Sequence, residues 1–143
     1  QGFIVLIDYG NDASKLYGAA QRHGTLAAYR KHVEAPTRAS WLNEPGDWDL
    51  TAHVDLTSLT RCAEHCGLQC LGSLDQTYFL LGLGGADIPS SQPDDGLDEL
   101  KNRLAAKTLF MPGGLGSTHK VVVYAKGVGS PALRGCSYGT RLT

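Results

Sequence analysis

The chain has 143 residues, the size of one domain or part of one. Thirteen Lys and Arg against fourteen Asp and Glu give a formal charge of −1, without the basic excess that nucleic-acid binding needs. With 42% hydrophobic and 19% charged residues the composition is globular, and no apolar run nears the roughly 18 residues of a membrane span, so we expect neither nucleic acid nor membrane as partner.

Phe3-Ile4-Val5-Leu6-Ile7 is an unbroken apolar run and predicts a strand buried on both faces, as in a parallel sheet. It runs into Asp8-Tyr9-Gly10-Asn11-Asp12, and the carboxyl end of such a strand is where open α/β sheets place ligands. Gln1-Gly2 precede it directly, with neither the charged nor the apolar region of a signal peptide. A strand so close to the terminus leads us to expect that the chain begins within a domain. Residues 13–22 suit a short helix before Gly24, and residues 25–30 an extended segment. Pro36, Asn43, Pro45 and Gly46 mark a long irregular loop carrying Trp41 and Trp48; two tryptophans suggest an ordered loop that covers something.

The next element is a helix, with Asp55 as cap, Leu56, Leu59, Ala63 and Cys66 on one face, and Gly67 as stop. A strand at residues 68–74 and a short helix at residues 76–83 follow, the latter ended by Gly84-Gly85. Residues 90–96 read as a polar linker. Beyond it Asp95 caps a second helix, with Asp98 in its first turn and a buried stripe of Leu97, Leu100, Leu104 and Thr108 or Leu109. Pro112-Gly113-Gly114 break that helix, and residues 119–125 are a β-branched strand. We take residues 1–126 as the domain portion and 127–143 as a tail without periodicity, expected to be mobile. Alternating strands and helices give an α/β fold with too few strands for a complete doubly wound sheet.

Four cysteines occur, and Cys62, Cys66 and Cys70 are spaced by four. A metal site with His65 is one reading; small buried apolar residues are the other, favoured because no C-x-x-C or paired-histidine motif is present. We expect no metal, no disulfide framework and a reducing compartment. Neither glycine cluster suits a nucleotide: Gly82-Leu83-Gly84-Gly85 lacks the third glycine of a dinucleotide turn, and residues 112–120 precede a strand instead of a helix.

The densest polar segment is Asp47-Trp48-Asp49-Leu50-Thr51-Ala52-His53-Val54-Asp55. His53 suits a general base and Asp49 a site for a cationic group. Equally, Asp55 serves as a cap, Thr51 satisfies loop backbone and His53 bridges two segments. Tyr29-Arg30-Lys31-His32 is a basic and aromatic run that suits either an anionic partner or a solvated face.

Taken together these segments resemble the MidA family of S-adenosylmethionine-dependent methyltransferases. Residues 3–10 are similar to its hhhIDYG strand, residues 26–32 to L-x-x-Y-R-x-H, and residues 45–56 to PG-x-x-DLTAHVDF with Leu56 in place of Phe. Residues 76–84 resemble Q-x-x-FL-x-x-LG. Residues 112–121 resemble P-x-x-MG-x-x-FKV, with Leu115 for Met and His119 for Phe. The matches run in family order to about Lys126 and cover its C-terminal part, from the fifth strand onward. The resemblance implies the C-terminal half of a Rossmann-like methyltransferase fold, with residues 68–74 and 119–125 as an antiparallel edge hairpin.

The activity implied is methyl transfer to a protein side chain, with arginine methylation in respiratory complex I assembly the link for the mitochondrial relatives. S-adenosylmethionine is the implied cofactor of the complete domain, held by a first half that this sequence does not match. The isolated chain is therefore expected to be inactive, with its cofactor contacts unassigned. Asp8, Tyr9, Asp49 and His53 are the expected catalytic rim, and Gly10, Tyr29, Arg30, His32 and Thr51 the expected substrate contacts. A bacterial cytoplasmic protein, or alternatively a mitochondrial matrix protein, is implied. The other reading is an inactive remnant that binds a protein or self-associates through the exposed edge of residues 3–7.

Overall fold

The computed structural model describes residues 1–35, 40–85, 97–111 and 113–142. Strand β1 (Gly2–Asn11) is followed by helix α1 (Ala13–Leu16), a 3-10 turn at Ala19–Gln21, and strands β2 (Ala27–Arg30) and β3 (Val33–Glu34). Helix α2 (Ser40–Asn43), strands β4 (Asp49–Thr51) and β5 (Val54–Asp55), helix α3 (Leu56–His65), strand β6 (Gln69–Asp75) and helix α4 (Gln76–Gly82) come next. Helices α5 (Leu97–Phe110) and α6 (Leu115–Thr118) lead into strand β7 (His119–Lys126), and a last 3-10 turn spans Arg134–Cys136. Among the described residues no helix is long and apolar enough to cross a membrane. The expected cap at Asp95 and the linker at residues 90–96 lie outside the described residues.

The main sheet has the order β5-β1-β7-β6. Strand β7 is antiparallel to both β1 and β6, so β1 and β6 end on the same side of the sheet. The two strands expected as an edge hairpin are antiparallel neighbours, but they are joined through α4, α5 and α6, and β7 is interior. The sequence explains this position: Val121-Val122-Val123-Tyr124-Ala125 is apolar on both faces, and each of these residues is at most 2% exposed.

Strand β1 departs from its expected burial. Phe3, Ile4, Val5, Leu6 and Ile7 are 38–54% exposed. Their backbone pairs with β7 on one side, while on the other β5 reaches only Gly10 and Asn11. An apolar strand needs both a pairing partner and a covering layer to be buried, and over most of its length β1 has one side open.

Helix α3 covers one face of the sheet and forms the core, with Leu56 packed against Val122 and Tyr124 and flanked by Val54, Leu59, Ala63, Leu68, Cys70 and Leu142. Burying Leu56 is worth about 2–3 kcal/mol. Asp55 accepts from the Ser58 backbone N–H at 3.0 Å, the N-cap read from the sequence. At the other end Gly67 takes φ 76°, with Gly67 N–H donating to Glu64 O and Leu68 N–H to Ala63 O, the paired bonds of a Schellman motif. Cys66, expected on the buried stripe, is exposed, as is Cys62, so the reading of these two thiols as buried packing residues is corrected. The narrow apolar stripe ends at Ala63, and the last turn points to solvent.

The stripe of α5 also differs. Leu104 and Leu109 are 54% and 43% exposed and Thr108 is exposed, because α5 meets only short elements, α4 and α6. The side chains of Leu97 and Leu100 lie outside those described. The segment after Gly127 packs in part on the sheet: Arg141 N–H donates to Ser73 O and Arg141 O accepts from Asp75 N–H, along the outer edge of β6.

A second sheet, β3-β2-β4, occupies the region read as loop. Ala27, Ala28 and Tyr29 pair with Thr51, Leu50 and Asp49, and Arg30 pairs with Val33 across a two-residue turn. That turn places Lys31 at φ 50° and His32 at φ 64°, left-handed values that a two-residue hairpin demands and that non-glycine residues adopt at a cost. Neither is a residue type that signals such a turn, so the hairpin was not legible.

Candidate functional site

The carboxyl ends of β1 and β6 and the start of β7 define one end of the main sheet. Two residue rows meet there. Tyr9 lies opposite His119, and their rings stack at 4.3 Å between centroids, tilted by 48°. One row inward, Asp8, Lys120 and Asp75 are mutual partners across the three strands, and directly opposed residues share a face. Lys120 and Asp75 are each 2% exposed at the side chain; Lys120 Nζ donates to Asp75 Oδ1 at 2.6 Å and to Ser117 O at 2.6 Å. Asp8 is exposed and accepts only locally, from the Tyr9 backbone N–H at 2.7 Å.

The segment Asp49–His53 joins this end through strand pairing. Gly10 is the partner of Val54 and Asn11 of Asp55, so His53 directly precedes the residue paired with Gly10. Glycine is required at position 10: a Cβ there would stand 2.9 Å from Val54 O and 3.0 Å from Leu56 Cδ2. The Asp8-Tyr9-Gly10 corner and the Asp49–His53 segment are thus adjacent. They do not line one cavity. His53 lines a pocket of about 290 Å³ with Gln21, Thr25, Glu34 and Trp41, on the side of the second sheet. The His53 backbone N–H donates to Thr25 Oγ1 at 3.2 Å, which fixes the segment and leaves the imidazole for other contacts.

Of the expected substrate contacts, Thr51 and Tyr29 sit in the second sheet, where Tyr29 pairs with both Glu34 and Asp49. Arg30 is engaged by Glu44 and Asp47, the latter at 3.2 Å, and its guanidinium lies 5.7 Å from the Trp48 ring centroid. His32 is exposed at the hairpin turn. Lys120, Asp75 and His119 were not singled out from the sequence. The signal was a single lysine heading the run Val-Val-Val-Tyr-Ala, and a carboxylate closing β6 before a helix: buried charges of opposite sign on neighbouring strands.

The glycine clusters hold no ligand cradle. Gly82 and Gly85 make room for Arg134 O and the Phe110 ring, and Gly116 for Thr77 Oγ1 and Phe110, so their space is taken by protein. No group of three His, Cys, Asp or Glu among the described residues is arranged for a metal ion.

An α/β sheet with chemistry-bearing side chains at one strand end defines the class. Residues 1–74 match the model of the family described as "Putative S-adenosyl-L-methionine-dependent methyltransferase", and the chain belongs to that family, whose methyl donor is S-adenosylmethionine. The chain is similar to an uncharacterized COG1565 superfamily protein from Burkholderia thailandensis at 27% identity, with a TM-score of 0.82 over 96% of this chain and 36% of that one. A second crystal structure of a COG1565 superfamily member from the same organism, bound to S-adenosyl-homocysteine, gives 27% identity and a TM-score of 0.82 over 96% of this chain and 35% of that one. The chain thus spans about a third of the length of these solved relatives. No curated protein matches it.

The described residues do not by themselves fit S-adenosylmethionine. No glycine turn follows a strand, and the pocket His53 lines, at about 290 Å³, is of side-chain size.

Proposed function

We propose that this chain is the acceptor-side part of an S-adenosylmethionine-dependent protein methyltransferase of the MidA type, acting on an arginine of a partner protein. The observation that carries the proposal is the pairing of Gly10 with Val54, which sets Asp8 and Tyr9 beside His53 at the ligand end of the sheet. The open side of β1, residues 2–9, is the seam along which the cofactor-binding part of the domain pairs. In this reading Asp8 and Asp49 orient the cationic acceptor and offset its charge, Tyr9 on its His119 support forms the wall, and His53 takes the proton released from the acceptor nitrogen. Tyr29, Arg30, His32 and Thr51 flank the acceptor on the second sheet.

A protein acceptor is supported by the side-chain scale of the His53 pocket. The four cysteines are all free thiols, which accords with a bacterial cytoplasm or a mitochondrial matrix.

Calorimetry on this chain alone should show no S-adenosylmethionine binding, whereas the full-length protein should bind it. In full-length protein, His53→Ala should slow methyl transfer by about 100-fold with cofactor affinity unchanged. Tight binding of the cofactor by this chain, or wild-type turnover by His53→Ala, would refute the assignment. A second reading, self-association through β1, is favoured by the exposure of Phe3–Ile7. Sedimentation of this chain as a strict monomer would exclude it.

A further inference from the structure

We infer that the pocket between the second sheet and His53 is a recognition subsite for a cationic side chain of the acceptor protein, distinct from the Asp8–Tyr9 corner. The inference rests on the proposed function only in assigning the occupant to the acceptor protein; the pocket's chemistry stands apart from it.

The walls come from four local features. Residues 24–28 form one side, Glu34 and Ala35 follow the hairpin turn, Trp41 comes from α2, and His53 from the link between β4 and β5. Glu34 is the only charged residue in the lining, and no lysine or arginine contributes. Its situation differs from that of the neighbouring acids. Glu44 and Asp47 are both engaged by Arg30, whereas Glu34 makes no ion pair or side-chain hydrogen bond among the described residues. A carboxylate without a counter-charge, an indole face and an imidazole around one cavity are the elements that bind guanidinium or ammonium groups.

The scale agrees. About 290 Å³ lies at the bottom of the range for small-molecule pockets, roughly 300–1,000 Å³, and suits one long side chain. The position agrees as well. His53 lies one residue from the partner of Gly10, so a side chain in this pocket would sit beside the β1 corner without occupying it. The pocket thus selects a cationic residue near the methylated one, and Glu34 and Trp41 are its specificity determinants.

The test is a titration of the ¹⁵N-labelled chain with ethylguanidinium chloride, followed by NMR, with sodium chloride at matched ionic strength and the neutral isostere N-ethylurea as controls. Ethylguanidinium should shift the Trp41 indole N–H and the amides of Glu34 and His53, and N-ethylurea should not. Glu34→Gln and Trp41→Leu should each weaken binding about threefold, the scale of an exposed ion pair or cation–π contact. Glu34 is exposed, so its substitution leaves the fold intact and the readout is clean. Equal shifts from N-ethylurea, shifts confined to Asp8 and Tyr9, no shifts at all, or unchanged affinity in both variants would overturn the subsite. Loss of methyl transfer in the full-length protein would instead count against the proposed activity and leave this titration unaffected.

Discussion

Replacing Lys120 by Met removes one charge from the interior while keeping the aliphatic stem. In the native chain the ammonium is 2% exposed and contacts both the Asp75 carboxylate and Ser117 O at 2.6 Å. The substitution takes the cation away from a carboxylate that is itself 2% exposed, and breaking a buried pair from one side costs about 3–5 kcal/mol. For a domain of this size that lowers Tm by roughly 10–15 °C. Urea denaturation followed by circular dichroism measures the loss directly. The double variant Lys120→Met with Asp75→Asn removes both charges and should recover part of it, with a coupling energy of about 2–3 kcal/mol in the double-mutant cycle. A loss below about 1 kcal/mol for Lys120→Met, or strict additivity, would refute the view that this pair holds the β6 and β7 ends of the site together.

Gly10→Ala should weaken the pairing of β1 with β5 and cost about 1–3 kcal/mol, because the added methyl meets Val54 O and Leu56; faster amide exchange at the β1–β5 junction is the check. Asp55→Ala should lower Tm by removing the α3 cap. The Ser58 backbone N–H and hydroxyl hold the Asp55 carboxyl below its ordinary 3.8, so its stabilising effect is complete above that value and is lost as pH falls through the lower folded value. The Tm gap between wild type and Asp55→Ala should therefore close in acid. Iodoacetamide should label exposed Cys62 and Cys66 well before Cys70 and Cys136, whose thiols burial pushes up; peptide mass spectrometry resolves the order, and equal rates would contradict the placement.

Where one element carried its own start, stop and apolar face, the sequence was enough. Asp55, the Leu56–Ala63 stripe and Gly67 specify α3 within a dozen residues, and the run Val121–Ala125 specifies a buried strand. The second sheet was not legible. Its strands β3 and β4 are two and three residues long, its turn uses Lys31 and His32 at left-handed angles, and its pairings join residues about twenty apart. Such short strands leave no period to read. The site was half legible: Asp8–Gly10 and Asp49–His53 were polar runs at element ends, but Lys120, Asp75, Glu34 and Trp41 acquire meaning only from their neighbours.

The amino-acid order alone determined the α/β class, the family likeness and the helix ends, because capping and periodicity act over a few residues. Tertiary structure alone decided that β7 lies between β1 and β6, that Phe3–Ile7 remains largely uncovered, and that Lys120 meets Asp75. These outcomes depend on which strand edges find partners, and a strand carries the same backbone donors and acceptors on both edges whatever its side chains.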